Sequence, residues 1–175
     1  MKNNRKKIAT VIAVLGIMML VLTQGDSMFE LRTETEIAAP PEVVWAVLTD
    51  AESFGDWNPF IHEMDGALQV GGQLRVTVGA PGKSRMTFKP QVLTADENRE
   101  LRWRGKLLVR GVMDGEHVFE LQPTEDGTRF LHYEHFSGVL VPLLKGMLER
   151  DTLPGFEAMN EALKARAEAR VLAAR

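Results

Sequence analysis

Two histidines and a glutamate in the second half of the chain have the side chains that acid–base chemistry requires. His117 alternates with Phe119, and His132 and Glu134 alternate in phase with Phe130. Because side chains alternate between the two faces of a strand, the polar groups point inward if the phenylalanines do. An imidazole beside a carboxyl of raised pKa could catalyse proton transfer, as cyclisation or dehydration requires. The pattern therefore makes His117, His132 and Glu134 the candidate catalytic residues.

The sequence favours a structural role for these residues over a catalytic one. Leu131 and Tyr133 are also apolar, so the facing of the last strand stays open, and His132 and its neighbour His135 could be exposed or hydrogen-bonded. The histidine and glutamate spacing matches no metal-ligand motif and the chain has no cysteine, so we expect no metal. No nucleophile elbow, phosphate-binding glycine loop or dinucleotide fingerprint is present, so we expect no cofactor.

Large apolar side chains at inward strand positions are candidate ligand contacts. Aromatic rings and flexible methionines suit an apolar guest, although the same side chains would equally well fill a solid core. For Trp57, packing is favoured over ligand contact because a tryptophan buries a large area. The candidate ligand-binding residues are Trp57, Leu74, Val76, Met86, Phe88, Leu101, Trp103, Phe119, Phe130, Phe156 and Met159.

Hydrophobic periodicity predicts the elements that must position these residues. A strand over 29–37 leads into a helix that begins at Pro41, and a second short helix covers 52–57. A helix over 139–171 closes the chain, with a kink or short break expected near Arg150 because Pro154 lies inside it. The intervening strands are predicted at 61–70, 73–78, 84–93 (with Pro90 at an edge or bulge), 100–109, 115–121 and 128–136.

The first 27 residues have the pattern of a targeting segment. Four basic residues without an acid precede an apolar run over 8–22. This predicts a signal-anchor, with a membrane anchor through residues 8–23, or a cleaved signal peptide. The domain would then be membrane-anchored and extracytoplasmic, or secreted or periplasmic. A buried core helix is the remaining alternative, and the basic cluster has no role in one.

Charge is unevenly divided along the chain. Beyond residue 25 there are 17 basic and 24 acidic residues, a net charge of −7. Phosphate binding needs a basic surface, so we expect no nucleic-acid partner. The sequence leaves the oligomeric state open.

The residues that carry a family resemblance are Ile37-Ala38-Ala39-Pro40-Pro41-Glu42-Val43-Val44-Trp45, Leu48-Thr49-Asp50, Phe54, Trp57-Asn58-Pro59, Gly71-Gly72, Gly127-Thr128 and Glu134-His135-Phe136-Ser137-Gly138. With these residues, the order of strand, two short helices, about six strands and a long helix resembles the helix-grip fold of the START/Bet v 1-like superfamily, in particular bacterial SRPBCC domains (polyketide cyclase/dehydrase and lipid transport-like). The similarity covers roughly residues 28 to 170. The resemblance implies an α+β fold for residues 28–172, with a curved antiparallel sheet of about six or seven strands around the C-terminal helix. The one N-terminal apolar helix expected before this domain is not part of the family pattern.

Three functions are compatible with this resemblance, since one fold hosts many activities. The leading expectation is a binding module that holds a small hydrophobic molecule (a lipid, polyketide or aromatic) between the sheet and the last helix. The second is an enzyme of the cyclase/dehydratase type that uses His117, His132 and Glu134 in the same cavity. The third is a protein-interaction module like the Hsp90-activator homologues.

Overall fold

The fold consists of antiparallel strands packed on one long C-terminal helix. The computed structural model describes residues 28–107 and 110–174. A 3₁₀ turn (Ala51–Ser53) separates the first two helices. The elements are β1 (Phe29–Ile37), α1 (Pro41–Leu48), α2 (Phe54–Trp57), β2 (Ile61–Gly66), β3 (Leu74–Val78), β4 (Met86–Phe88), β5 (Gln91–Asp96), β6 (Glu100–Leu107), β7 (Met113–Thr124), β8 (Gly127–Ser137) and α3 (Val141–Ala173).

The strands form two sheets that meet along one edge. The larger sheet has the order β1-β8-β7-β6-β5, and the smaller one the order β2-β3-β4. An isolated bridge between Gln73 and Gln91 joins them, and Leu74 donates a backbone hydrogen bond of 2.8 Å to the carbonyl of Pro90. Together the five and three strands curve around one side of α3.

The predicted α+β helix-grip architecture is confirmed. The described residues contain eight strands, because the segment predicted as one strand over 84–93 is divided into β4 and β5 around Pro90. Proline cannot donate to a strand ladder, which explains a division at this point. The division lets β4 pair with β3 in the small sheet while β5 pairs with β6 in the large one.

The long helix runs without interruption from Val141 to Ala173. Of the kink or short break expected near Arg150, the short break is therefore wrong, because one continuous helix contains Pro154, and the kink stays a prediction. The helix packs mainly on β1 and α1. Its buried face changes role along its length, because residues up to Thr152 border a cavity while Phe156, Met159 and Leu163 fill the core.

The predicted signal-anchor or signal peptide lies outside the described residues. Over 28–107 and 110–174, no helix has the length and apolar character needed to cross a membrane. The apolar run at 8–22 precedes that part of the chain, so its assignment stays a prediction.

Candidate functional site

A cavity of about 430 Å³ lies between the two sheets and the first three turns of α3. This volume falls within the range of small-molecule sites in proteins. Its walls are mostly apolar, with contributions from Phe60 and Val76 on one side and from Phe136, Leu144 and Leu148 on the other.

The structure divides the predicted ligand-binding residues into three groups. Four of them border the cavity: Val76, Met86, Phe88 and Trp103. Trp57 is half-buried against Phe54, at a ring-centroid distance of 5.2 Å, and is not part of the wall. The others lie in the packed core: Leu74, Leu101, Phe119, Phe130, Phe156 and Met159.

Two paired glycines keep the cavity open. Gly105 on β6 lies directly opposite Gly115 on β7, and both border the cavity. A Cβ at Gly105 would lie 3.7 Å from the nearest atom, on Pro90, which is an ordinary contact. A Cβ at Gly115 would instead collide with Oε1 of Glu134. The glycine at 115 therefore provides the space that the glutamate carboxyl occupies.

Charged and polar side chains lie at the rim. Lys83 in the β3–β4 loop donates a 2.9 Å hydrogen bond to Asp151 on α3, which connects the loop to the helix at the edge of the cavity. Ser84 and Lys106 on the rim are exposed, and Thr152 is half-buried.

The polar groups of the inner wall are Glu134 and His117. They face each other on β8 and β7, where strand pairing brings Oε2 of the carboxyl to 3.3 Å from Nδ1 of the imidazole. Both residues border the cavity, with the glutamate side chain 18% and the histidine side chain 6% exposed.

Behind His117 a buried chain of hydrogen bonds leads away from the cavity. Nε2 of His117 lies 2.9 Å from Nε2 of His132, which is fully buried. Nδ1 of His132 lies 2.8 Å from Oδ1 of Asn160 on α3. The Asn160 amide donates a 2.9 Å bond to Oγ1 of Thr33 on β1, and Thr33 donates a 3.1 Å bond to the backbone carbonyl of His132. The network thus connects β1, α3, β8 and β7 to Glu134.

Aromatic rings hold both imidazoles in place. His117 stacks on Trp103 at 4.8 Å between ring centroids with the planes 3° apart, and it meets the edge of Phe119. His132 stacks on Phe156 at 3.8 Å. These contacts cover ring faces of both imidazoles, whose polar partners are the hydrogen bonds of the network.

The buried setting favours the neutral form of all three groups. Burial raises the pKa of the Glu134 carboxyl from 4.5 to about 8. Burial also lowers the pKa of His117 from 6.5 to about 3. Burial and, second to it, the neighbouring His117 hold the pKa of His132 well below its usual value. Each shift has the sign that desolvation of a charge produces.

Sequence reasoning singled out His117, His132 and Glu134 but missed the residues that join them to the frame. Asn160 is an amide on the buried face of α3 between Phe156 and Leu163. A polar residue at this position of an otherwise apolar stripe is the feature of the sequence that could have indicated a buried hydrogen bond. Thr33 lies in the strand predicted over 29–37, and the sequence pattern gave it no role. His135 is instead on another surface, where Nδ1 lies 3.3 Å from Glu30.

The arrangement is suited to hydrogen bonding and proton transfer rather than to metal binding. Within the part of the chain that the structure describes, no group of three or more ligating side chains could hold a metal ion. A carboxyl whose pKa is raised to about 8 is protonated at neutral pH and can give a proton, and the carboxylate that remains can take one back, while neutral His117 is its hydrogen-bond partner.

Comparison with known protein families identifies one whose sequence model matches this chain. The sequence model of the family described as polyketide cyclase/dehydrase and lipid transport matches residues 28–168. No curated protein sequence matches the chain.

Solved structures with the same fold come from distant relatives. The Zhui aromatase/cyclase from Streptomyces sp. R1128 is 20% identical, with a TM-score of 0.65 over 85% of this chain and 98% of that one. A point mutant of norcoclaurine synthase from Thalictrum flavum, in complex with a transition-state analogue, is 15% identical, with a TM-score of 0.65 over 84% and 98%. A Staphylococcus aureus protein of unknown function is 14% identical, with a TM-score of 0.64 over 85% and 98%. At these identities the likeness concerns the fold.

Proposed function

The chain belongs to the polyketide cyclase/dehydrase and lipid transport family, and from that premise we propose that it binds a small hydrophobic molecule in the cavity between the sheets and α3. The observation that carries the proposal is the cavity of about 430 Å³ with a mostly apolar wall and the carboxyl–imidazole pair of Glu134 and His117 on its inner side. An apolar wall gains free energy in proportion to the apolar area that the guest removes from water, and the polar pair orients the guest.

Catalysis is the second candidate, and the convergence of His117, His132 and Glu134 favours it. In this alternative the protonated Glu134 gives a proton to the bound molecule and its carboxylate takes one back, as a cyclisation or dehydration requires, while neutral His117 holds the carboxyl by a hydrogen bond. His132 does not border the cavity, so its role would be to position His117. The aromatase/cyclase among the structural neighbours is consistent with this candidate. The protein-interaction alternative stays a prediction.

The proposed location of this activity is outside the cytoplasm. It rests on the basic residues followed by the apolar run at 8–22, as an anchor or a cleaved signal. Fractionation of cells that produce the full chain tests it: we expect the protein in the membrane or extracytoplasmic fraction, and recovery from the cytoplasm would contradict it.

Tryptophan fluorescence tests the binding proposal directly, because Trp103 borders the cavity. Fatty acids, sterols and polycyclic aromatics are titrated into the wild type and into Gly105→Phe. Since the position of a Cβ at 105 is free of close contacts, the phenylalanine has room to enter the cavity and fill it. We expect at least one class to bind the wild type with a shift of the emission and to bind Gly105→Phe at least tenfold more weakly. Failure of every class to bind, or equal binding to both proteins, would refute the proposal.

A further inference from the structure

The direction of the buried hydrogen-bond chain determines what kind of polar group the cavity accepts. Each link joins one donor to one acceptor, so fixing the hydrogen at one end fixes it at every later link. The chain starts at a backbone carbonyl, which can only accept, and ends at Glu134 on the cavity wall.

Thr33 sets the first direction. Its hydroxyl has one hydrogen and donates it to the carbonyl of His132, so its oxygen must accept from Asn160. The Asn160 atom that faces Thr33 is therefore the NH₂ group, and the atom that faces His132 is the acceptor Oδ1. Nδ1 of His132 accordingly carries a hydrogen.

The two imidazoles transmit this direction to the glutamate. Neutral His132 with its hydrogen on Nδ1 has a lone pair on Nε2, so His117 must donate from its own Nε2. Neutral His117 then presents a lone pair on Nδ1 to Oε2 of Glu134. The carboxyl must supply the hydrogen for this last link, and the setting that favours neutral groups is consistent with a protonated Glu134.

The other carboxyl oxygen is left for a guest. Once Oε2 donates to His117, Oε1 is the carbonyl oxygen of a neutral acid and can only accept. Oε1 lies over Gly115, and no described residue donates a hydrogen bond to it. A cation placed here would lose its hydration without meeting an opposite charge, whereas an uncharged donor would be satisfied.

We propose that the cavity selects an apolar molecule that carries an uncharged hydrogen-bond donor, such as a phenolic or alcoholic hydroxyl, and that this group donates to Oε1 of a protonated Glu134. The Thr33–Asn160–His132–His117 chain acts as the positioning group that keeps Glu134 in this form. The inference rests on the proposed binding function and goes beyond it by naming the ligand chemistry.

The reverse direction makes the opposite selection. If Thr33 gave its hydrogen to Asn160, every link would turn round, the carbonyl of His132 would lose this donor, and His117 would present an N–H to the carboxyl. Such a site suits an ionised Glu134 and an ammonium group on the guest. The two directions therefore differ in both ligand preference and histidine tautomer.

A matched series of guests tests the selection at about pH 6.5, below the pKa of about 8 of Glu134. Calorimetry compares 2-naphthol, its methyl ether and 2-(aminomethyl)naphthalene. We expect 2-naphthol to bind about tenfold more tightly than the methyl ether, as one hydrogen bond allows, and the amine to bind most weakly. Equal binding of all three, or tightest binding of the amine, overturns the inference and leaves the binding function in place. If none of the three molecules binds, both this inference and the proposed binding function are overturned for aromatic guests.

Two variants of Glu134 locate the effect. Glu134→Gln keeps an acceptor in place of Oε1 and a donor in place of the protonated Oε2, so it is expected to keep the preference for 2-naphthol. Glu134→Leu removes both groups. The ratio of the affinity for 2-naphthol to that for the methyl ether should fall to about one, while the methyl ether still binds. If Glu134→Gln loses the preference and Glu134→Leu keeps it, the carboxyl is not the recognising group.

Nitrogen-15 NMR shows which nitrogen of each imidazole carries a hydrogen, and it therefore measures the direction of the hydrogen-bond chain without any guest. The chain has four histidines, and replacement of His62 and His135 by glutamine leaves the signals of the two network residues. We expect a hydrogen on Nδ1 of His132 and on Nε2 of His117, and Asn160→Leu should abolish this fixed pattern. The opposite tautomers, or a protonated His117 at neutral pH, would refute the proposed direction.

Discussion

Glu134 is a carboxyl that strand pairing holds beside a histidine and away from bulk water. Its position opposite His117 follows from the register of β7 and β8, and the space for its carboxyl follows from Gly115. The sequence showed both residues in phase with phenylalanines, because the period of two along a strand is local information, but it left open which face of the last strand points inward. It did not predict the partnership with Asn160, since that depends on which turn of α3 lies over β8.

Stability should fall as the pH rises past neutrality, and Glu134 should cause the fall. Because burial raises its folded-state pKa to about 8 from 4.5, the unfolded chain releases this proton at lower pH than the folded one. His117 and His132 have lowered pKa values, so their effect has the opposite sign and is confined to pH values below about 6.5. Between about pH 6.5 and 8.5 the wild type should lose about 2 kcal/mol of unfolding free energy.

Urea denaturation at the two pH values measures this loss, with Glu134→Gln as the control. The glutamine does not ionise, so the variant should lose far less stability over the interval. The other charged groups that border the cavity, Lys83, Lys106 and Asp151, lie at its rim and remain in both proteins. An equal pH dependence in wild type and variant would contradict a raised pKa of Glu134.

A methyl group at position 115 should disturb the site, while the same methyl group at position 105 should not. Gly115→Ala collides with Oε1 of Glu134, the end of a flexible side chain, so the carboxyl has to shift and its hydrogen bond to His117 is expected to weaken. We expect a loss of about 0.5–1.5 kcal/mol in unfolding free energy and a smaller preference for 2-naphthol. Gly105→Ala, on the paired strand in the same cavity wall, is the matched control and should keep both. Equal effects of the two substitutions would show that the collision does not matter.

At the scale of elements, the first turns of α3 border the cavity, whereas its middle packs against the core. Leu144 and Leu148 border the cavity, and Phe156 packs edge-on against Phe60 at 5.3 Å between ring centroids. Gly155 marks the transition, because a Cβ there would collide with the ring of Phe60. The helix was predicted from its apolar spacing, but this close approach could not be, since it depends on a loop residue from a distant part of the chain.

Two glycines of this helix should respond in opposite directions to alanine. Gly146 is exposed and a Cβ there meets nothing within 4 Å, so Gly146→Ala should stabilise the protein by about 0.5–1 kcal/mol through helix propensity. Gly155→Ala should destabilise it by about 1–3 kcal/mol, because the methyl group displaces Phe60 despite the same gain in propensity. Thermal and urea denaturation of the two variants measure the difference. Stabilisation by both would contradict the close packing of α3 on Phe60.

At the scale of the whole molecule, the sequence predicts the fold but not which residues border the cavity. Strand alternation, the proline-rich start of α1 and the long closing helix each specify an element, and their order corresponds to a helix-grip architecture. Whether an inward residue fills the core or borders a cavity depends on what lies opposite. Phe119 and Trp103 both face inward on neighbouring strands, yet only Trp103 borders the cavity.

Native mass spectrometry of the protein purified from the organism that encodes it tests the central claim most directly. The cavity is proposed to hold a small hydrophobic molecule, and Gly105→Phe is designed to fill that space, because a Cβ at position 105 meets no close contact. We predict that the wild type carries a discrete added mass that is released on denaturation, and that Gly105→Phe, purified in the same way, lacks it. The same spectrum from both proteins would contradict the proposal that this cavity is the binding site.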